Sequence, residues 1–81
     1  MKVTVQFFSY FKDLAGTSQH QFDVAPGASI GTLLDALYPQ FPKLEPMRKS
    51  TLIAVGVEYQ NRNYILREGD VVSLFPPVQG G

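Results

Sequence analysis

Val3, Val5 and Phe7 alternate with Lys2, Thr4 and Gln6, and a period of two over a short segment predicts a strand with one buried face. Phe8 interrupts the pattern. It shares the parity of Thr4 and Gln6, so a large ring stands where the alternation expects solvent. Ser9 then offers a capping oxygen to a short helical turn whose apolar members Tyr10, Phe11 and Leu14 fall to one side, and Gly16 suits a left-handed stop. Phe22 and Val24 alternate with Gln21 and Asp23, which predicts a second strand over 18–24 returning antiparallel to the first, with Ala25-Pro26-Gly27 closing it.

From Ser29 the period changes. Ile30, Leu33, Leu34, Leu37, Tyr38 and Phe41 recur at the spacing of one helix face. Ser29 supplies the N-cap, and Pro39 disfavours helical geometry at Tyr38, so the helix should finish there. Pro39, Pro42 and Pro46 make 39–50 an ordered but irregular connection. Leu52 to Val57 is an almost unbroken apolar run suited to a strand. Asn61-Arg62-Asn63 offers turn residues tolerant of positive φ, and Tyr64, Ile65 and Leu66 lead into a tight turn, Arg67-Glu68-Gly69-Asp70. The last strand runs from Val71 to Phe75 with Val72 and Leu74 inward, and Pro76-Pro77, having no amide proton, ends the ladder. One main helix covering one mixed sheet, with the first and last strands adjacent and parallel, is the α+β layout of the β-grasp, or ubiquitin-like, fold. Residues 1–75 form the domain, and 76–81 form a flexible tail ending in Gly80-Gly81.

Composition narrows the function. A chain of 81 residues has a small core and little room for a private small-molecule pocket. Seven basic and seven acidic side chains cancel, leaving no electrostatic footprint for a nucleic-acid partner. Without cysteine there is no disulfide, thiolate metal site or thiol nucleophile. The alternating N-terminus lacks the apolar core of a signal peptide, and no apolar run approaches a bilayer's thickness. These features point to the cytoplasm and away from a membrane. His20 has no second histidine to share a metal, so no metal site is expected, and it reads as a polar residue at a strand edge. Ser9 and Ser29 lack a base and read as caps, Asp70 as a turn-former, and no catalytic constellation emerges.

Val5-Gln6-Phe7-Phe8 with Leu14-Ala15-Gly16, the helix start Ser29-Ile30-Gly31-Thr32-Leu33-Leu34, Ala54-Val55-Gly56-Val57-Glu58-Tyr59, Leu66-Arg67-Glu68-Gly69-Asp70-Val71-Val72 and the terminal Pro76-Pro77-Val78-Gln79-Gly80-Gly81 together resemble the molybdopterin synthase small subunit family, also called molybdopterin converting factor subunit 1. Its members are ubiquitin-like sulfur carriers. Gly56 stands where members commonly carry asparagine, and glycine can take over asparagine's backbone role in a turn. The resemblance implies that the Gly81 carboxylate is adenylated by a ubiquitin-activating-like adenylyltransferase. A sulfur donor protein then allows a thiocarboxylate to replace the AMP, and the tail enters the large subunit to give its sulfur to the pyranopterin precursor. It implies a hetero-oligomer in which this chain has no catalytic machinery and binds no cofactor, AMP and sulfur being covalent intermediates at Gly81.

Gly80 and Gly81 suit a narrow partner channel because neither carries a Cβ. Phe8 and Phe75 share outward parity on strands expected to be neighbours. With Tyr59 and the approach Pro76, Pro77 and Val78, they make a candidate partner-binding surface. Two alternatives remain: a thiazole-synthesis sulfur carrier, usually shorter and without this Pro-Pro-Val approach, and a ubiquitin-like modifier conjugated to lysines.

Overall fold

A computed structural model describes residues 1–77 of the chain; the expectations for Val78, Gly80 and Gly81 lie outside the described residues. The opening alternation forms β1 (Lys2–Phe7), whose odd residues are buried and whose even ones are not. β2 (Gln19–Asp23) returns antiparallel, pairing Val3 with Phe22 and Val5 with His20. After α2 (Ile30–Leu37) come β3 (Leu52–Val55), β4 (Glu58–Tyr59) and β5 (Val71–Phe75). The five-stranded sheet has the order β2-β1-β5-β3-β4. β5 pairs parallel to β1 and antiparallel to β3, as the β-grasp layout requires.

The register assigns each face. Val3, Val5, Phe7, Phe22, Ile53, Val72 and Leu74 pack with Ile30, Leu33, Leu34 and Leu37 of α2 in one buried cluster. The helix therefore covers one face and leaves the other open. Ser29 caps α2, its Oγ accepting the Thr32 N–H at 3.2 Å. The next two amides donate outside the helix, Ile30 to the Tyr64 carbonyl and Gly31 to that of Arg62, each at 2.9 Å. Those bonds satisfy donors that a helix start leaves orphaned, and they tie the 62–64 loop to α2.

Four local expectations are corrected. Ser9 does not cap the first helix, α1 (Phe11–Ala15): its side chain makes no cap bond, Tyr10 holds the N-cap position, and Ser9 itself sits at φ 56°. That left-handed step turns the chain out of β1 at Phe8. The connection 39–50 is not irregular throughout, because Pro42–Met47 forms a 3-10 helix that buries Leu44. The run from Leu52 to Val57 is broken at Gly56, whose φ of 61° turns the chain into β4 and leaves Val57 fully exposed. Asn61-Arg62-Asn63 turns without positive φ, using the Asn61 Oδ1 to accept the Asn63 N–H at 2.8 Å.

Asp70 does shape its turn. Its Oδ2 accepts the Arg67 N–H at 2.9 Å and the Tyr64 hydroxyl at 3.0 Å, joining the turn before β5 to the loop that caps α2. Desolvation, then the bond to Asp70, raises the Tyr64 pKa. Folding thus favours the protonated phenol, so this contribution is complete below about pH 10 and is lost as pH rises past it. Replacing Asp70 by alanine should cost about 1–2 kcal/mol. Thermal melting should read this as a midpoint lowered by roughly 4–8 °C per kcal/mol. An unchanged midpoint would mean that the two bonds contribute nothing net.

Candidate partner-binding site

The open face of the sheet carries the candidate surface. Phe7 pairs with Leu74 across the β1–β5 ladder, and the Phe8 N–H continues it by donating to the Leu74 carbonyl at 3.1 Å. Phe8 and Phe75, one residue farther along each strand, therefore meet on the open side. Their rings stack with centroids 4.6 Å apart and planes 16° from parallel, a geometry worth about 0.5–1.5 kcal/mol beyond area burial. Phe8 remains 36% exposed. The ladder extends the row: Phe75 pairs with Leu52 on β3, and beside it Gln6, Ser73, Ala54 and Tyr59 follow one another across the sheet. Ser73 and Ala54 are small and buried between larger neighbours, whereas Tyr59 is 73% exposed. Ala54, Gly56, Val57, Tyr59 and Phe75 line a shallow recess of about 190 Å³.

Phe8, Phe75 and Tyr59 thus fall on one face, with Phe8 and Phe75 in contact and Tyr59 reached through the recess. Pro76 and Pro77 continue from the end of β5 and are half-buried. Leu52 and Val57 join this surface without having been among its expected residues. Leu52 was detectable as the residue of outward parity that falls opposite Phe75. Val57 was hidden by its place in an apolar run, although glycine before it is a turn signal.

Titratable groups add little chemistry at this surface. His20 lies on the core-side parity of edge strand β2 and packs edge-on against Phe22 and Phe41, at centroid distances of 4.9 and 5.5 Å. Among the described residues no group of three or more His, Cys, Asp or Glu could hold a metal ion, and no helix is long and apolar enough to cross a membrane. At the C-terminal end of α2, burial raises the Tyr38 pKa, while the guanidinium groups of Arg62 and Arg48 oppose the rise.

Comparison with known proteins places this surface in context. The profile of the ThiS family matches residues 5–81. The chain is 30% identical to the molybdopterin synthase sulfur carrier subunit of Chlamydomonas reinhardtii, with 100% of both chains covered. It superposes on SAMP1 of Haloferax volcanii with a TM-score of 0.88 at 28% identity, again covering 100% of both. A chain of the complex of subunits 1 and 2 of molybdopterin-converting factor from Helicobacter pylori matches with a TM-score of 0.72, 28% identity and 100% of both chains.

Proposed function

The chain belongs to the ThiS family, and from that membership we propose that it is a sulfur carrier of molybdenum cofactor biosynthesis, the small subunit of a two-subunit molybdopterin synthase. The observation that carries this reading is the relative in Chlamydomonas reinhardtii, named a molybdopterin synthase sulfur carrier subunit and matched over 100% of both chains. The family match over residues 5–81 fits it.

A carboxylate is a poor electrophile. A ubiquitin-activating-like adenylyltransferase must therefore first join the Gly81 carboxylate to AMP, releasing pyrophosphate from ATP. Sulfur at the oxidation level of sulfide, supplied by a donor protein, displaces AMP and leaves a thiocarboxylate. That sulfur is anionic near neutral pH and a better nucleophile than the oxygen it replaces. In the cytoplasm the charged tail then enters the large subunit, where the sulfur bonds to the pyranopterin precursor and water cleaves the acyl C–S bond, returning Gly81 to a carboxylate and leaving the sulfur on the pterin. The acid, base and anion-binding groups belong to the large subunit; this chain binds, positions and delivers.

The division of labour follows from its surfaces. The stacked Phe8 and Phe75 with Tyr59 offer the large subunit an apolar grip, and Pro76, Pro77 and Val78 lead from it to Gly80 and Gly81. Six residues span at most about 20 Å, so docking at the stack confines the sulfur to a small volume around the large subunit's active site.

The test is reconstitution. The chain bearing a C-terminal thiocarboxylate, mixed with the large subunit and the pyranopterin precursor, should form molybdopterin in proportion to thiocarboxylate consumed. A precursor left unchanged would overturn the assignment. The likeness to SAMP1, the small archaeal modifier protein 1 of Haloferax volcanii, favours the ubiquitin-like modifier as the second reading. Lysine-linked adducts formed in a cell extract would support that alternative, and delivery of the sulfur to a thiazole precursor would support the third.

A further inference from the structure

The chain is electrically balanced overall, yet its cations are not evenly spread. Arg48, Lys49 and Arg62 line a groove of about 640 Å³ together with Leu52, Tyr59 and Gln60, and no carboxylate lies among its lining residues. The walls are held by backbone bonds. The Arg62 carbonyl accepts the Gly31 N–H at 2.9 Å and the Arg48 N–H donates to the Glu45 carbonyl at 3.1 Å. Beyond Lys49, the Thr51 hydroxyl donates to the Met47 carbonyl at 2.8 Å. Arg62 also approaches α2 so closely that a Cβ on Gly31 would lie 3.4 Å from the Arg62 carbonyl oxygen.

The groove is continuous with the apolar face. Tyr59 lines both the groove and the recess beside Phe75, and Leu52 lines the groove while pairing with Phe75 in the sheet. A partner seated on the Phe8–Phe75 stack and extending across Tyr59 would pass over three cations. We propose that this groove receives a carboxylate-bearing segment of the protein partner that docks on the stack, so that the interface is apolar at the tail end and cationic, on this chain's side, at the other. The proposal rests on the reading that a large subunit docks on that face. Guanidinium groups suit such a segment because each can meet a carboxylate through two parallel donors. Lining a single groove that has no carboxylate among its lining residues, these charges would steer association and set the partner's orientation more than they would add affinity.

The test compares the full chain with its Arg62→Glu, Arg48→Glu and Lys43→Glu variants. Lys43 is an exposed cation of the 3-10 helix that does not line the groove. Binding to the large subunit is measured at about 0.05 M and about 0.5 M salt, across which surface charges become screened. The wild type should weaken with salt. Arg62→Glu and Arg48→Glu should each bind about tenfold more weakly at low salt and lose most of that dependence, whereas Lys43→Glu stays within about twofold. Groove variants that bind like the wild type would overturn the proposal. A second arm needs no large subunit: titrating the labelled chain with a glutamate-rich peptide should shift the amide resonances of Arg48, Lys49, Tyr59 and Arg62. If the large subunit fails to bind any of the chains, the functional reading fails and this arm alone decides the groove. Unmoved resonances, or stronger binding of a single-stranded oligonucleotide than of the peptide, would overturn it.

Discussion

Replacing Phe75 by alanine should weaken binding to the large subunit about thirtyfold while the domain stays folded. Phe75 lies in the middle of the open-face row, stacked on Phe8 at 4.6 Å and paired across the sheet with Leu52. An aromatic at the centre of a docking patch commonly costs about 2 kcal/mol or more of binding when truncated, which is the thirtyfold stated. Its contribution within the free domain is smaller, because the ring is only half-buried and loses one stacking partner. A stability loss of about 1–2 kcal/mol is expected. A domain with about 5 kcal/mol or more in reserve remains almost entirely native after such a loss. Calorimetric titration beside a thermal melt separates the two effects. Equal affinity of the wild-type and alanine chains would remove the stack from the interface.

The larger effect belongs to the last residue. A chain ending at Gly80 still presents a glycine carboxylate, but one withdrawn by roughly 3.5 Å. Displacing a reacting atom by about 1 Å can already cost about a hundredfold in rate, so sulfur transfer should fall by at least that factor. The melting midpoint should move by less than about 1 °C, since β5, the last strand among the described residues, ends at Phe75. Molybdopterin formed per carrier, measured beside the melt, checks both halves of this expectation. Retained transfer in the shortened chain would place the chemistry on another group.

Much of this arrangement was legible because its signals are local. Alternation in β1 and β5 assigns a parity to every residue, and the β-grasp order makes those strands neighbours. Parity and strand order together therefore put Phe8 and Phe75 side by side. Ser29 and the Leu33, Leu34, Leu37 stripe located α2 for the same reason. What escaped depends on contacts between distant segments or on backbone states that composition does not encode. The prolines that break helical periodicity after Tyr38 also concealed the 3-10 helix, and Leu44 inside it has no periodic neighbour to mark it as core. Ser9 looks like a cap by residue type, yet the chain uses it at positive φ to leave β1. The apolar run from Leu52 to Val57 masked the β3–β4 turn, which only the family resemblance at Gly56 marked. Arg62 joins Arg48 and Lys49 in one groove because its loop is bound to the start of α2, a contact that no local pattern announces.

The measurement that bears most directly on the sulfur-carrier assignment is the intact mass of the chain after incubation with the adenylyltransferase, ATP and a sulfur donor. Exchange of one carboxylate oxygen for sulfur adds about 16 Da, and fragmentation should place the whole gain on Gly81. An unchanged mass, or a gain that survives removal of Gly81, would contradict the account.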